Sequence, residues 1–251
     1  MDNNASPSPI ALVTGAAGGI GREVVQRLRQ RGWRVAAVGR TAQRLEAVEA
    51  DARIVADTSE PEGAQGAIQR CVESLGGPPA CLAHCVGSTL IAPLHRSTET
   101  QIREVMRANL DSAVFTLKAW IEAMRAQEMQ GAAVLASSVV SRIGVANHEV
   151  IAAAKGGIEA LVRSAAATYA AAGLRINAVA PGMTDTPMTA SMLRQELMRT
   201  AAGKQYPLGG VQTAGEVADV MVWLLGEQAS RITGQVIAVD GGFTTIRPLV
   251  K

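Results

Sequence analysis

A chain of 251 residues, 48% apolar and 18% charged, is long enough for one large α/β domain with a substantial core. A formal net charge of +2, with no basic run behind it, leaves no electrostatic footprint for nucleic acid or an anionic membrane. No apolar stretch reaches the roughly 20 residues of a membrane-crossing helix. The polar segment 1–9 contains Pro7 and Pro9 and lacks the pattern of a signal peptide, which predicts a flexible tail ahead of a domain at 10–251. Cys71, Cys81 and Cys85 follow no metal or redox spacing, which predicts reduced thiols, no metal site and a cytoplasmic protein.

Residues 10–14 form a short apolar run that ends at glycine, and the glycine-rich turn 15–21 leads into helical spacing at Val24, Val25 and Leu28. A strand entering such a turn leaves no Cβ to block a phosphate, and the helix start offers free N–H groups with partial positive charge. Residues 34–38 read as the second strand, closed by Gly39-Arg40. In dinucleotide folds that strand end meets the adenosine ribose. An acid there accepts from both ribose hydroxyls, whereas the fork of Arg40 suits a 2′-phosphate, which favours NADP with NAD as the alternative. A helix over 41–50, with Thr41 as its cap, precedes a third strand at 54–56 and Asp57-Thr58. Asp57 is placed either to accept from the adenine amino group or to hold a turn.

A helix over 60–75 is broken by Gly76-Gly77-Pro78-Pro79. Residues 80–86 are almost continuously apolar, as a strand buried on both faces should be, and end at Gly87. Ser97 is placed to cap a long helix to about 129, interrupted near Asn109, whose amide can kink a helix and aim inward. The fifth strand, 132–136, ends at Ser137-Ser138, and an alanine-rich helix follows from 147 or 148 to about 172. Strand six, 174–179, stops at Pro181-Gly182. Residues 184–205 are polar and methionine-rich and predict a mobile lid. A helix at 213–225 and a strand at 235–239 complete the chain. Seven alternations predict a single-domain, Rossmann-type, doubly wound parallel α/β sheet of seven strands with helices on both faces. The strand ends Gly15, Gly39, Asp57, Gly87, Ser138 and Pro181 should then meet in one cleft.

From residue 10 to 242 the sequence resembles the short-chain dehydrogenases/reductases, in particular the branch containing β-ketoacyl carrier-protein reductases. The resemblance rests on T-G-x-x-x-G-x-G at 14–21, the helical asparagine segment at Asn109, Ser138 with Lys155 seventeen residues later, P-G-x-x-x-T at 181–186 and D-G-G at 240–242. It implies that Asn109, Ser138 and Lys155 fill three places of a catalytic tetrad. The lysine would hold the nicotinamide ribose, the serine would hydrogen-bond the substrate oxygen, and the asparagine would hold a water in the proton path. It further implies cofactor contacts at Thr14, Gly15, Gly19, Ile20, Gly21, Thr58, Cys85, Gly87, Pro181, Gly182, Thr184 and Thr186, besides Arg40, Asp57 and Lys155. A homotetramer built through the helices at 98–129 and 148–172 is implied as well.

Three positions depart from the family pattern. The proton-donating tyrosine would stand at 151, one turn before Lys155, where the residue is Ile151. The motif Asn-Asn-Ala-Gly is His84-Cys85-Val86-Gly87 here, so its side-chain hydrogen bonds should be lost. A basic residue common in the turn of NADP enzymes is replaced by Gly18. His148, seven residues before Lys155, returns to the same helical face, and imidazole gives and takes protons near neutrality, so it is the candidate relay. His148 as a surface or capping residue is the other reading of that position. The two tyrosines are Tyr169, about 21 Å along the helix from Lys155, and Tyr206 near the lid. Two functions stay open: an oxidoreductase acting on a small carbonyl or alcohol substrate, with a pocket made adaptable by Met183, Met188 and Met192, or a dinucleotide-binding sensor or assembly partner without catalysis.

Overall fold

The computed structural model describes residues 8–247, so most of the expected tail at 1–9 lies outside the described residues. Seven parallel strands form one sheet: β1 (Ile10–Thr14), β2 (Arg34–Gly39), β3 (Ala52–Val55), β4 (Cys81–His84), β5 (Gly131–Ala136), β6 (Leu174–Pro181) and β9 (Val236–Val239). Their spatial order is β3-β2-β1-β4-β5-β6-β9. In register, Leu12 of β1 stands beside Ala36 of β2 and Leu82 of β4. The chain runs outward from β1 to β3, then returns to β4 on the other side, so a crevice opens between the carboxyl ends of β1 and β4.

Side chains alternate across this sheet, and each face has its own core. Ala11 and Val13 point towards α1 (Gly19–Gln30) and α8 (Ala214–Leu225), where they meet Val24, Leu28, Val217 and Met221. Leu12 and Leu82 point the other way, towards Trp120, Leu117 and Ile158 of α5 (Ser112–Ala126) and α6 (Glu149–Tyr169). Each fully buried leucine of these clusters contributes about 1.5–3 kcal/mol. The Trp120 indole also donates to Pro79 O at 2.8 Å. Arg175 of β6 closes the end of α8, donating to the carbonyls of Leu224, Leu225, Gly226, Ala229 and Ile232 at 2.8–3.3 Å. Those of Leu224 and Leu225 are among the orphan acceptors that a helix end leaves.

The remaining helices are α2 (Ala42–Glu46), α3 (Pro61–Leu75), α4 (Glu99–Met106) and α7 (Glu196–Gly203). Several boundaries differ from the sequence expectation. α2 is five residues long rather than a helix over 41–50, and Thr41 makes no side-chain cap bond. Thr98, not Ser97, caps α4, through a reciprocal capping box with Gln101. The expected interruption at Asn109 is one turn of π-helix, Arg107–Asp111, between α4 and α5. A second sheet of two short strands, β7 (Thr184–Asp185) and β8 (Gln212–Thr213), carried no readable periodicity. It ties the start of the segment expected to act as a lid, 184–205, to the residues just before α8, reinforced by Gln212 Nε2 donating to Thr184 Oγ1 at 2.9 Å.

Candidate active site

A cavity of about 850 Å³ lies beyond the carboxyl ends of the strands. That is near the upper end of the range of ligand pockets. Every site residue expected from the sequence lines it except Thr14.

At the β1 end, Gly15 has φ +66°, and a Cβ there would lie 2.6 Å from Cys85 O. A Cβ at Gly21 would collide with the carbonyl of Gly15. Only glycine lets β1, β4 and α1 approach this closely. α1 begins behind Gly18 with no side-chain cap and no acid in its first turn. Its first N–H groups and the positive end of its dipole therefore face the cavity with Gly19 and Ile20, a cradle suited to a pyrophosphate. The residues present fit a dinucleotide at this end.

At the end of β2, Arg40 is exposed along the cavity rim, with Arg44 of α2 beside it. Arg44 was not among the residues expected; its place four positions after Arg40, across the start of α2, is the signal that could have revealed it. Asp57 is engaged in a turn: its Oδ1 accepts from Ser59 N at 3.1 Å and Ser59 Oγ at 2.6 Å, and its Oδ2 lies 3.4 Å from Arg107 Nη1. Burial pushes its carboxyl up, but the Ser59 hydrogen bonds and the charges of Arg107 and Arg40 outweigh this and hold it below the usual range. Thr58 is buried beside it.

Thr14 is fully buried, its hydroxyl turned away from the cavity to His84 Nδ1 at 2.9 Å. The other ring nitrogen lies 3.2 Å from Ser112 Oγ, which donates to Ala108 O at 2.8 Å. The Nε2–H therefore donates to Ser112, and Nδ1 accepts from Thr14. At His84 side-chain hydrogen bonds are present despite the expected loss, because the imidazole spans β1 and α5, whereas the Cys85 side chain makes only a sulfur contact with Met221. Burial, with the nearby Lys155 charge, pushes its pKa down to about 3, so the ring is neutral. Burial likewise pushes the Cys85 thiol up to about 12.

Between β4 and β5 the side chains converge. Lys155 is 7% exposed and donates from Nζ to Ala136 O at 2.8 Å. Burial pushes its pKa down to about 8. A Cβ on Gly87 would stand 2.8 Å from Asn109 Oδ1 and 3.3 Å from Lys155 Nζ, so the amide and the ammonium meet over this glycine. Asn109 is fixed by donation from Nδ2 to Val105 O at 2.9 Å and Ser88 Oγ at 3.2 Å, and its Oδ1 accepts from Ser88 N at 3.3 Å. The π-turn aims this side chain at the strand ends. Ser138 caps the turn after β5, its Oγ accepting from Val140 N at 3.4 Å. Behind it, Ser137 and Ser141 donate to Glu159 of α6 at 3.1 and 2.6 Å, fixing this loop to the helix that carries Lys155.

Ile151 faces the same space. It is 4% exposed and packs in an apolar cluster with Val105 and Val150. His148 stands at the N-cap of α6 and lines the cavity; its Nδ1 lies 2.7 Å from Ala146 O, which fixes Nδ1–H as the donor and leaves Nε2 free. Tyr206 also lines the cavity, its oxygen accepting from Met183 N at 2.7 Å and its ring stacked against Gly182. Pro181, Thr184 and Thr186 line the adjoining wall, and a Cβ on Gly19 would lie 2.7 Å from Thr186 Cγ2, so the start of the lid segment rests on the glycine turn. Tyr169, the last residue of α6, does not line the cavity.

This site, on this fold, is that of a dinucleotide-dependent oxidoreductase class. Residues 15–244 match the family model described as enoyl-(acyl carrier protein) reductase. The chain is 34% identical over 245 residues to cis-4-hydroxycyclohexanecarboxylate dehydrogenase of Sinomonas cyclohexanicum, covering 94% of this chain and 97% of that protein. It is 36% identical over 249 residues to galactitol 2-dehydrogenase (L-tagatose-forming) of Cereibacter sphaeroides, covering 93% and 94%. Among solved structures, ligand-free aldohexose dehydrogenase of Thermoplasma acidophilum superposes with a TM-score of 0.88 at 25% identity, covering 97% of each chain. The chain belongs to the short-chain dehydrogenase/reductase family, oxidoreductases that bind a nicotinamide dinucleotide. Among the described residues, no helix is long and apolar enough to cross a membrane, and no cluster of side chains could hold a metal ion.

Proposed function

We propose that the protein is an NADP(H)-dependent oxidoreductase that reduces a carbonyl or oxidises an alcohol, with His148 as proton relay where its family has a tyrosine at the position of Ile151. The observation that carries this reading is the meeting of Lys155 and Asn109 over Gly87, in one cavity with Ser138 and His148. A binding protein would have use for Lys155 but little for the serine. The relatives named for alcohol oxidation support the same chemistry.

When bound, the dinucleotide supplies or accepts the hydride. The chain's own residues do the rest. The glycine turn and the α1 N-terminus bind the pyrophosphate, and Arg40 with Arg44 receives the 2′-phosphate. Lys155 holds the nicotinamide ribose, and Pro181, Gly182, Thr184 and Thr186 support that end. Ser138 Oγ positions the substrate oxygen, Asn109 holds a water, and His148 Nε2 delivers or removes the proton at that oxygen. The segment 184–205 acts as the lid. The assembly is a homotetramer through α4, α5 and α6, and a monomeric mass in solution contradicts it.

The test is His148→Ala. Turnover of a reducible carbonyl should fall about 10²- to 10⁴-fold with NADPH affinity unchanged. Unchanged turnover removes histidine from the relay. One observation favours a second reading: Ile151 sits in an apolar cluster where the donor would stand. A non-catalytic binder would hold NADPH and consume none across a carbonyl panel.

A further inference from the structure

We infer that the substrate of this site is an uncharged, mainly apolar alcohol or ketone without carboxylate, phosphate or ammonium groups. The inference rests on the proposed placement of the dinucleotide along the strand ends, which assigns the far part of the cavity to the substrate.

The cavity divides by charge along the sheet. Among the described residues its arginines and its one carboxylate, Arg40, Arg44 and Asp57, all stand beyond β2 and β3, at the adenosine end. Beyond β4, β5 and β6 the ionisable lining groups besides the Cys85 thiol are Lys155, His148 and Tyr206. Lys155 is buried at the base, held on Ala136 O. Tyr206 is committed to Met183 N–H, and burial raises its pKa, so it stays a neutral phenol. The His148 imidazole is the relay. Ile91, Val140, Val145, Met183, Met188 and Met192 line the cavity with these groups, among neutral polar side chains such as Thr89 and Gln205.

Charged side chains of the lid are not in this wall. Arg199 is paired with Asp185 at 2.6 Å, outside the cavity lining. An ammonium on the substrate would therefore lose its water without gaining a counter-ion, and a carboxylate would find only the Lys155 ammonium, already held on Ala136 O. Burying an unpaired charge is disfavoured by far more than a methionine wall can return. Unbranched, polarisable methionines instead adapt to apolar surfaces of varied shape.

The experiment measures binding, so that it does not depend on turnover. The protein saturated with NADP+, which cannot reduce a ketone, is titrated by calorimetry with cyclic ketones in matched pairs, one neutral and one carrying a carboxylate. The neutral member should bind at least about a hundredfold more tightly. Met192→Lys should narrow or reverse that ratio for the same pairs. Equal or tighter binding of the carboxylate by the unaltered protein overturns the inference. If NADP+ itself fails to bind, the functional reading above falls; the same pairs, titrated by calorimetry against the protein alone, still decide the charge preference of the cavity.

Discussion

Lys155 Nζ donates to the carbonyl of Ala136 at 2.8 Å, tying the helix that carries the ammonium to the last residue of the neighbouring strand. Burial pushes the pKa of this lysine down to about 8 from an ordinary 10.5. The charge needed to hold ribose hydroxyls is thus present below about 8 and lost above it. NADPH affinity should fall as pH rises through that value, by up to about tenfold per unit. Lys155→Met should flatten the profile and weaken binding at pH 7 by about 10–100-fold. For stability the sign is opposite. The folded pKa lies below the unfolded one, so charge burial costs stability below about 8, and the cost is relieved towards 10.5. The methionine variant should therefore be no less stable at pH 7, and its weaker binding is not misfolding. An unchanged pH profile in the variant removes Lys155 from the binding role.

Ile151→Tyr returns a hydroxyl to the place one turn before Lys155. The side chain lines the cavity, but its base packs against Val105 and Val150. The larger ring should cost about 1–3 kcal/mol of stability through overpacking. Added to the His148→Ala variant, Ile151→Tyr should raise carbonyl turnover by about 10²- to 10⁴-fold, the contribution of a positioned acid. In the Ile151→Tyr background His148→Ala should have little effect, since the relay has moved. Steady-state kinetics of the two single variants and the double variant test this. A folded, NADPH-binding double variant no faster than His148→Ala contradicts the geometry argued for the site.

The sheet and the cleft are legible in the chain because each strand ends on a residue with a local reason to stop. Gly15, Gly87 and Pro181-Gly182 mark turns whose chemistry lies within a few positions. What is not legible depends on contacts distant in sequence. Thr14 and His84 are 70 residues apart, and nothing local shows that the imidazole takes up the Thr14 hydroxyl. The pairing of Thr184–Asp185 with Gln212–Thr213 is two residues long, below any periodic signal. Arg44 joins the cavity lining only because the fold lays the short helix α2 beside the end of β2, a placement that no local pattern fixes.

His84 gives the fold an acid limit. Its folded pKa, about 3, lies below the ordinary 6.5, so the unfolded chain binds a proton that the folded chain refuses. The stability this contributes is full above about 6.5 and is lost as pH falls towards 3, with a slope of about 1.4 kcal/mol per pH unit. Urea titrations between pH 7 and pH 4 should show that slope. His84→Asn should abolish most of it, with some loss of stability at pH 7 because one amide cannot reproduce both hydrogen bonds. An unchanged slope in the variant assigns the acid sensitivity to another group.

Arg40, after the glycine that ends β2, and Arg44 of α2 both line the cavity, and no acid follows the strand. A 2′-phosphate beside two guanidinium forks gains charge-assisted hydrogen bonds that a 2′-hydroxyl cannot make. Both side chains are exposed, so each contact is weakened by water and salt. Arg40→Ala and Arg44→Ala should each weaken NADPH binding by roughly tenfold at low ionic strength and leave NADH binding nearly unchanged. Added salt should narrow the difference between the two nucleotides in the parent protein and have less effect in the double variant. Arg40→Asp should reverse the preference, since a carboxylate accepts from ribose hydroxyls and repels the phosphate. Equal losses for NADPH and NADH would place these arginines on a part of the dinucleotide common to both, and the NADP preference would then have no support in the chain.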